Sequence, residues 1–328
     1  MILLSREAAY VVLYLRRWGI RNAYSNSFYL IMTYYKKHIS KNIIENYLYN
    51  FYGYGEWNSN IWFLGMEEAG QYAEEKITKF FKKKYARKDL IDNCKFQYEF
   101  TPRFFDYKIQ DTWRPIIMIL LYLAGEKDIF VTKEQDPKSF TANKKNICAF
   151  QFNHWGRNGS YRCDGIRSNA LIEFLPLPIS NMKDSIFNTV YNYNDFDQVF
   201  KDKNDYKNYC WHQRGKAERL SFIKGQINKY KPELVLAYAK KFGKEFDKIL
   251  NKPGHFKEIL IENYKGTKNK AEFYYQVETC TLFVLCNQPN SRNQTRQYWV
   301  NLAEAIEETL VAADIYESSK IVKDYLII

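Results

Sequence analysis

Asn60-Ile61-Trp62-Phe63-Leu64-Gly65-Met66-Glu67-Glu68-Ala69-Gly70 (NIWFLGMEEAG, 60–70) is the stretch whose reading sets the fold. Its first seven residues form a short apolar run that ends beside glycine. A run of that length without polar alternation suits a strand buried on both faces, as in parallel sheets. The same signature returns in NALIEFLPLPIS (169–180), where Pro176 and Pro178 place the strand end near Phe174. It returns again in PELVLAYA (232–239) and in TLFVLCN (281–287).

Helical patterns alternate with these runs. DTWRPIIMILLYLAG (111–125) starts at the cap Asp111 and stops at Gly125. A basic helix is expected at 71–86, and KAERLSFIKGQINKYK (216–231), KKFGKEFDKIL (240–250) and QTRQYWVNLAEAIEETLVAA (294–313) read as amphipathic helices. FKEILIENY (256–264) and AEFYYQVE (271–278) alternate like half-exposed strands. Apolar strands alternating with helices predict an α/β fold with a mostly parallel central sheet and helices on both faces. The expected organisation is a helical N-terminal extension (1–55), an α/β domain (56–313) with an insertion around 75–165, and a C-terminal tail helix (314–328).

Composition narrows the partners. The 328 residues carry a formal net charge of +12, with basic clusters at 76–88, 229–244 and 263–270. Such an excess favours a polyanion, since each neutralised phosphate releases a counterion; a solvated basic face is the simpler alternative. No uncharged apolar run reaches the ~18 residues of a membrane helix. Arg6 and Glu7 interrupt the first apolar stretch, unlike a secretion signal, so a cytoplasmic location without membrane contact is expected. Cys94, Cys148, Cys163, Cys210, Cys280 and Cys286 form no C-x-x-C pair, and the four histidines show no zinc spacing. The expectation is free buried thiols, no metal and no cofactor.

In an open α/β sheet, ligands bind at the carboxyl ends of the strands, which directs attention to three places. Gly65–Gly70 brackets Glu67 and Glu68 with glycines that permit a sharp turn and close approach of a ligand. It is neither a P-loop nor a dinucleotide fingerprint. Two adjacent acids suit a water or a developing cation, or they simply favour the positive end of the next helix. Asn287–Arg292 follows the last apolar strand; Ser291 and Gln294 fit a capping box, and Arg292 with Asn293 at a helix start suits a phosphate. Glu173 and Phe174 lie at the end of the apolar run that begins at 169. His154 is read as a loop hydrogen-bonder, in a segment (153–162) whose aromatic residues are candidates for stacking on a base.

Together these pieces resemble the uracil-DNA glycosylase superfamily. Gly65-Met66-Glu67 is similar to its glycine-led first motif, and Gln288-Pro289-Asn290-Ser291 to its second. Glu173-Phe174-Leu175-Pro176-Leu177 resembles the N-Y-C-P-L stretch whose asparagine reads the flipped base, and PELVLAYAKKFGKEF resembles the strand and helix before the second motif. The resemblance spans about 58–312 and implies a monofunctional DNA glycosylase with DNA as partner and no obligate protein partner. Glu67 would position the hydrolytic water, with Glu68 as the alternative. Met66, Glu173, Phe174 and Gln288 would line the base pocket, and Asn290, Ser291, Arg292 and Asn293 would hold DNA.

Two departures bear on substrate. Gln288 replaces a histidine or methionine and cannot act as an acid. Glu173 replaces an asparagine, and an ionised carboxylate only accepts hydrogen bonds, which suits an exocyclic amine such as cytosine N4; a strand-end salt bridge is the alternative. The implied substrate is a modified cytosine, as in the antiviral glycosylases that excise glucosylated hydroxymethylcytosine from phage DNA. The alternatives are a uracil or damaged-base repair enzyme, a catalytically inactive DNA-binding module of the same fold, and a nucleoside hydrolase of the same class.

Overall fold

The computed structural model describes residues 41–67, 77, 89–91, 113–123, 170–177, 200, 202, 204–206, 209, 214–238, 257–262, 267–287 and 296–312. These contain β1 (Gly53–Tyr54), β2 (Ile61–Glu67), β3 (Ala170–Leu175), β4 (Leu234–Tyr238), β5 (Lys257–Glu262), β6 (Lys268–Gln276) and β7 (Thr281–Cys286). The helices are α1 (Lys41–Asn50), α2 (Trp113–Leu123), α3 (Arg214–Tyr230) and α4 (Arg296–Ala312). No described helix is long and apolar enough to cross a membrane.

All seven strands join one sheet in the order β1-β3-β2-β4-β7-β6-β5. The four apolar runs lie together as β3-β2-β4-β7, and every pairing among them is parallel. β3, β4 and β7 are buried along their whole length, as a strand covered on both faces must be. The sheet is nevertheless mixed rather than mostly parallel: β1 pairs β3, β6 pairs β7 and β5 pairs β6, all antiparallel. The flanking pattern explains this. β5 alternates toward solvent, with Leu260 exposed and Ile261 buried, so it needs cover on one face only and closes through a hairpin instead of a crossover.

Side-chain contacts assign the helices to faces. The Trp62 ring packs at a tilt against Trp57, and Trp57 with Tyr52 packs on Phe222 of α3, at centroid distances of 5.3, 5.7 and 4.7 Å for Trp57–Trp62, Trp57–Phe222 and Tyr52–Phe222. α3 therefore covers the face to which Trp62 points. Phe63 and Gly65 alternate to the opposite face, where Cys286 meets Tyr298 of α4, and α4 packs on α2. α4 also reaches the antiparallel edge, where the Asn301 side-chain amide donates to the Glu262 carbonyl at 2.9 Å.

Residues 41–55, expected to belong to a helical N-terminal extension (1–55), share this core. Ile44, Tyr47, Phe51, Tyr52 and Tyr54 belong to the same buried cluster as the sheet. Gly53 has φ 133 and pairs with Ile172; any side chain there would collide with the Leu171 carbonyl, so only glycine lets β1 lie flush. Part of the expected insertion also joins in. Ile91 bridges to Tyr54, its N–H donating to the Gly53 carbonyl at 3.1 Å and its carbonyl accepting from Gly55 at 2.9 Å. The expected helix at 71–86 is described only at Ile77, which is helical and buried; the expected caps Asp111, Gly125 and Ser291, the expected helix at 240–250, the loop around His154 and the tail 314–328 lie outside the described residues.

Two junctions use left-handed residues other than glycine. Lys231 (φ 48) ends α3, its N–H donating to the Ile227 carbonyl at 2.8 Å, and Pro232 then prevents continuation. Cys280 (φ 53) closes the β6–β7 hairpin, its N–H donating to the Val277 carbonyl at 3.2 Å. The expectation of buried thiols is met by Cys286 and corrected at Cys280, which sits exposed on this turn.

Candidate functional site

Two connections leave the parallel strands on opposite faces. The link from β2 to β3 carries α2, on the α4 side, and the link from β3 to β4 carries α3, on the other. The strand order thus reverses between β2 and β4, and a doubly wound sheet opens its ligand crevice at that point, outside the carboxyl ends.

A polar row crosses the sheet there. Glu173 of β3 is in register with Gly65 of β2, Leu64 with Ala237 just before Tyr238 of β4, and Tyr238 with Cys286 of β7. Register partners point to the same face, so Glu173, Tyr238 and Cys286 line up beneath α4. Gly65 is where the row closes. A Cβ at that position would stand 3.0 Å from Glu173 Oε2, 2.9 Å from the Tyr238 Cζ and closer still to the Tyr238 hydroxyl. The glycine expected to pivot a turn lies inside β2 instead, and the space it leaves is taken by Tyr238.

The row is dry. Glu173 is 8% exposed with Oε2 fully enclosed, and Tyr238 is 7% exposed. Burial first, then the neighbouring Glu173 and Cys286, push the Tyr238 hydroxyl well above its ordinary pKa, so it stays protonated and able to donate. Burial likewise raises the Cys286 thiol far above its ordinary value, which leaves it a neutral, inert neighbour. Tyr298 of α4 is raised by burial and by Cys286, partly offset by the Asn287 backbone.

The Glu173 backbone is tied down from the other side. Its N–H donates to the Tyr52 carbonyl at 3.0 Å, one residue before β1 begins. Its carbonyl, past the end of β1, accepts from Arg219 Nε at 3.2 Å and from the same guanidinium's Nη2. Arg219 Nη1 donates to the Leu48 and Phe51 carbonyls at 3.3 and 2.8 Å, and its Cζ lies 4.2 Å from the Tyr52 ring centroid. At 3% exposure the guanidinium is compensated by four hydrogen bonds to carbonyls and by the ring face. At the next step of the chain, the Leu177 N–H donates to the Tyr206 hydroxyl at 2.9 Å, fixing the exit from β3.

The expected site residues divide accordingly. Glu67 ends β2, its backbone in register with Leu175, so it stands on the same strand-end rim as Glu173; nothing further of its side chain or that of Met66 is described. Phe174 does not join Glu173: consecutive strand residues face oppositely, and Phe174 is a buried core side chain on the α3 face. Glu68, Gln288, Asn290, Ser291, Arg292 and Asn293 lie outside the described residues. Sequence reading missed Tyr238, Cys286 and Arg219. A tyrosine ending the otherwise aliphatic LVLAY is a signal for the first; nothing in the amphipathic pattern of α3 marks Arg219 as its buried cation. No family model matches the chain, and neither curated proteins nor solved structures give a match.

Proposed function

We propose that this chain is a monofunctional DNA glycosylase, a hydrolase that flips a base from the stack and cleaves its N-glycosidic bond. The observation that carries the reading is Glu173: a carboxylate built into the crevice end of a parallel strand, against a glycine, with its backbone clamped by Arg219. Glu67 ends the neighbouring strand at the same rim, where a carboxylate orients water and offsets the positive charge of an oxocarbenium-like sugar. The net charge of +12 suits a nucleic-acid strand, and neither Gly65–Gly70 nor Asn287–Arg292 holds a lysine for Schiff-base chemistry. An accept-only Glu173 favours an amine-bearing base, so the proposed substrate is a modified cytosine such as the glucosylated hydroxymethylcytosine of phage DNA, with antiviral defence as the role.

The test is mass spectrometry of bases freed from cytosine, hydroxymethylated, glucosylated and uracil-containing DNA. Glu67→Gln is expected to retain DNA binding and abolish release. Release of no base from any of these DNAs defeats the proposal. Gln288, which cannot donate a proton as a histidine can, favours a second reading as a binding module; that reading requires steep salt dependence of binding and indifference to Glu67→Gln.

A further inference from the structure

We propose that the Tyr298 hydroxyl is the hydrogen-bond donor that steadies the departing base; this rests on the base-excision reading above. Tyr298 is the third residue of α4, and helical side chains tilt toward the N-terminus of their helix. Its phenol accordingly lies where the chain leaves β7, beside Cys286 and the Asn287 backbone. The residue is 0% exposed, and its ring meets Trp299 edge-on at 4.9 Å. Its enclosed hydroxyl has no hydrogen-bond partner among the described residues. The Asn287 backbone lowers the phenol's pKa, as a nearby N–H does, so the phenol proton itself meets no acceptor. A buried hydroxyl without a partner weakens a fold relative to phenylalanine. Its use therefore lies in what enters the crevice.

Three features favour negative charge at this point. They are the positive end of a 17-residue helix, the Asn287 N–H, and a phenol that burial and Cys286 keep protonated. Cleavage of an N-glycosidic bond creates such a charge. As the C1′–N1 bond of a cytosine-type base breaks, its electron pair passes to the base and spreads onto the O2 oxygen. Water supplies the hydroxyl that joins C1′; its second proton, taken up first at Glu67, ends on the base. The Tyr298 proton stays on its own oxygen and is shared with O2 as a hydrogen bond. That bond strengthens as charge builds, and it is worth most where water is excluded. Gln288 brings no acid to this step, so the donor comes from the helix that follows its loop.

Tyr298→Phe tests this, since it keeps the ring and removes the oxygen. Excision from DNA carrying hydroxymethylcytosine is expected to slow about 100-fold in kcat, as on loss of one oxyanion donor, with KM almost unchanged. The urea midpoint is expected to hold or rise, because the hydroxyl has no partner to lose. The loss in kcat is expected to shrink on 5-fluorocytosine, whose fluorine already draws charge from the ring. An unchanged kcat overturns the inference. So does a lowered urea midpoint, which marks a structural hydrogen bond, and so does an equal loss on both bases, which marks misplacement. Release of no base by the parent protein overturns the glycosylase reading and the inference with it; release that Tyr298→Phe matches overturns the inference alone.

Discussion

Single atoms set the limits of the site. Gly65→Ala places a methyl group against the Tyr238 hydroxyl and Glu173 Oε2, in a strand with neighbours on both sides. Overpacking of that kind costs about 1–3 kcal/mol, to be read as a lowered urea midpoint. The buried thiol and phenols make a second expectation. Their folded-state pKa values are raised, so their contribution to stability is complete below the unfolded values of 9.0 for Cys286 and 10.0 for Tyr298, and is lost as pH rises beyond them. Stability is therefore expected to decline from about pH 9 upward, and Cys286→Ala to remove the earliest part of that decline in a urea-midpoint series across pH 7–11. Alkylation with peptide mapping gives a third outcome: Cys280 reacts in the folded protein and Cys286 only after unfolding, because one is exposed and the other enclosed.

At the scale of elements, the two left-handed junctions carry strain that glycine would relieve. Lys231→Gly at the end of α3 and Cys280→Gly in the β6–β7 turn are each expected to raise stability by about 0.5–1 kcal/mol, the αL penalty less the added freedom of the unfolded chain. Denaturant midpoints check both, and a fall in either contradicts the strain. The elements themselves show what a sequence discloses. β3, β4 and β7 were legible because continuous burial leaves ALIEFL, LVLAY and TLFVLC almost wholly apolar, Glu173 and Thr281 being the buried polar exceptions. β1 was not: two residues, one of them Gly53, carry no period, and only long-range pairing to Ile172 makes them a strand. Glu173 stood out as a charge in an apolar run. The tyrosine ending LVLAY stood out less, because its place beside Gly65 and Glu173 follows from long-range strand pairing that no local window shows.

The whole molecule depends on how distant segments are fastened. One guanidinium on α3 binds carbonyls of α1, of the turn into β1 and of β3, across sequence separations of 171, 168 and 46 residues. Arg219→Met leaves those carbonyls buried without their donor, at a cost of about 1–3 kcal/mol for each one that water cannot reach. The loss is expected to loosen β1 and α1 before the parallel strands, with hydrogen exchange rising first at Phe51, Gly53 and Tyr54. That fastening also has a bearing on time. Contacts closing loops of such length come late in folding, once the nearer pairings have formed. A bond made after the rate-limiting barrier slows escape from the native state without hastening arrival. Arg219 thus acts as a latch on the lifetime of the folded chain: its removal is expected to speed unfolding while leaving the refolding rate almost unchanged.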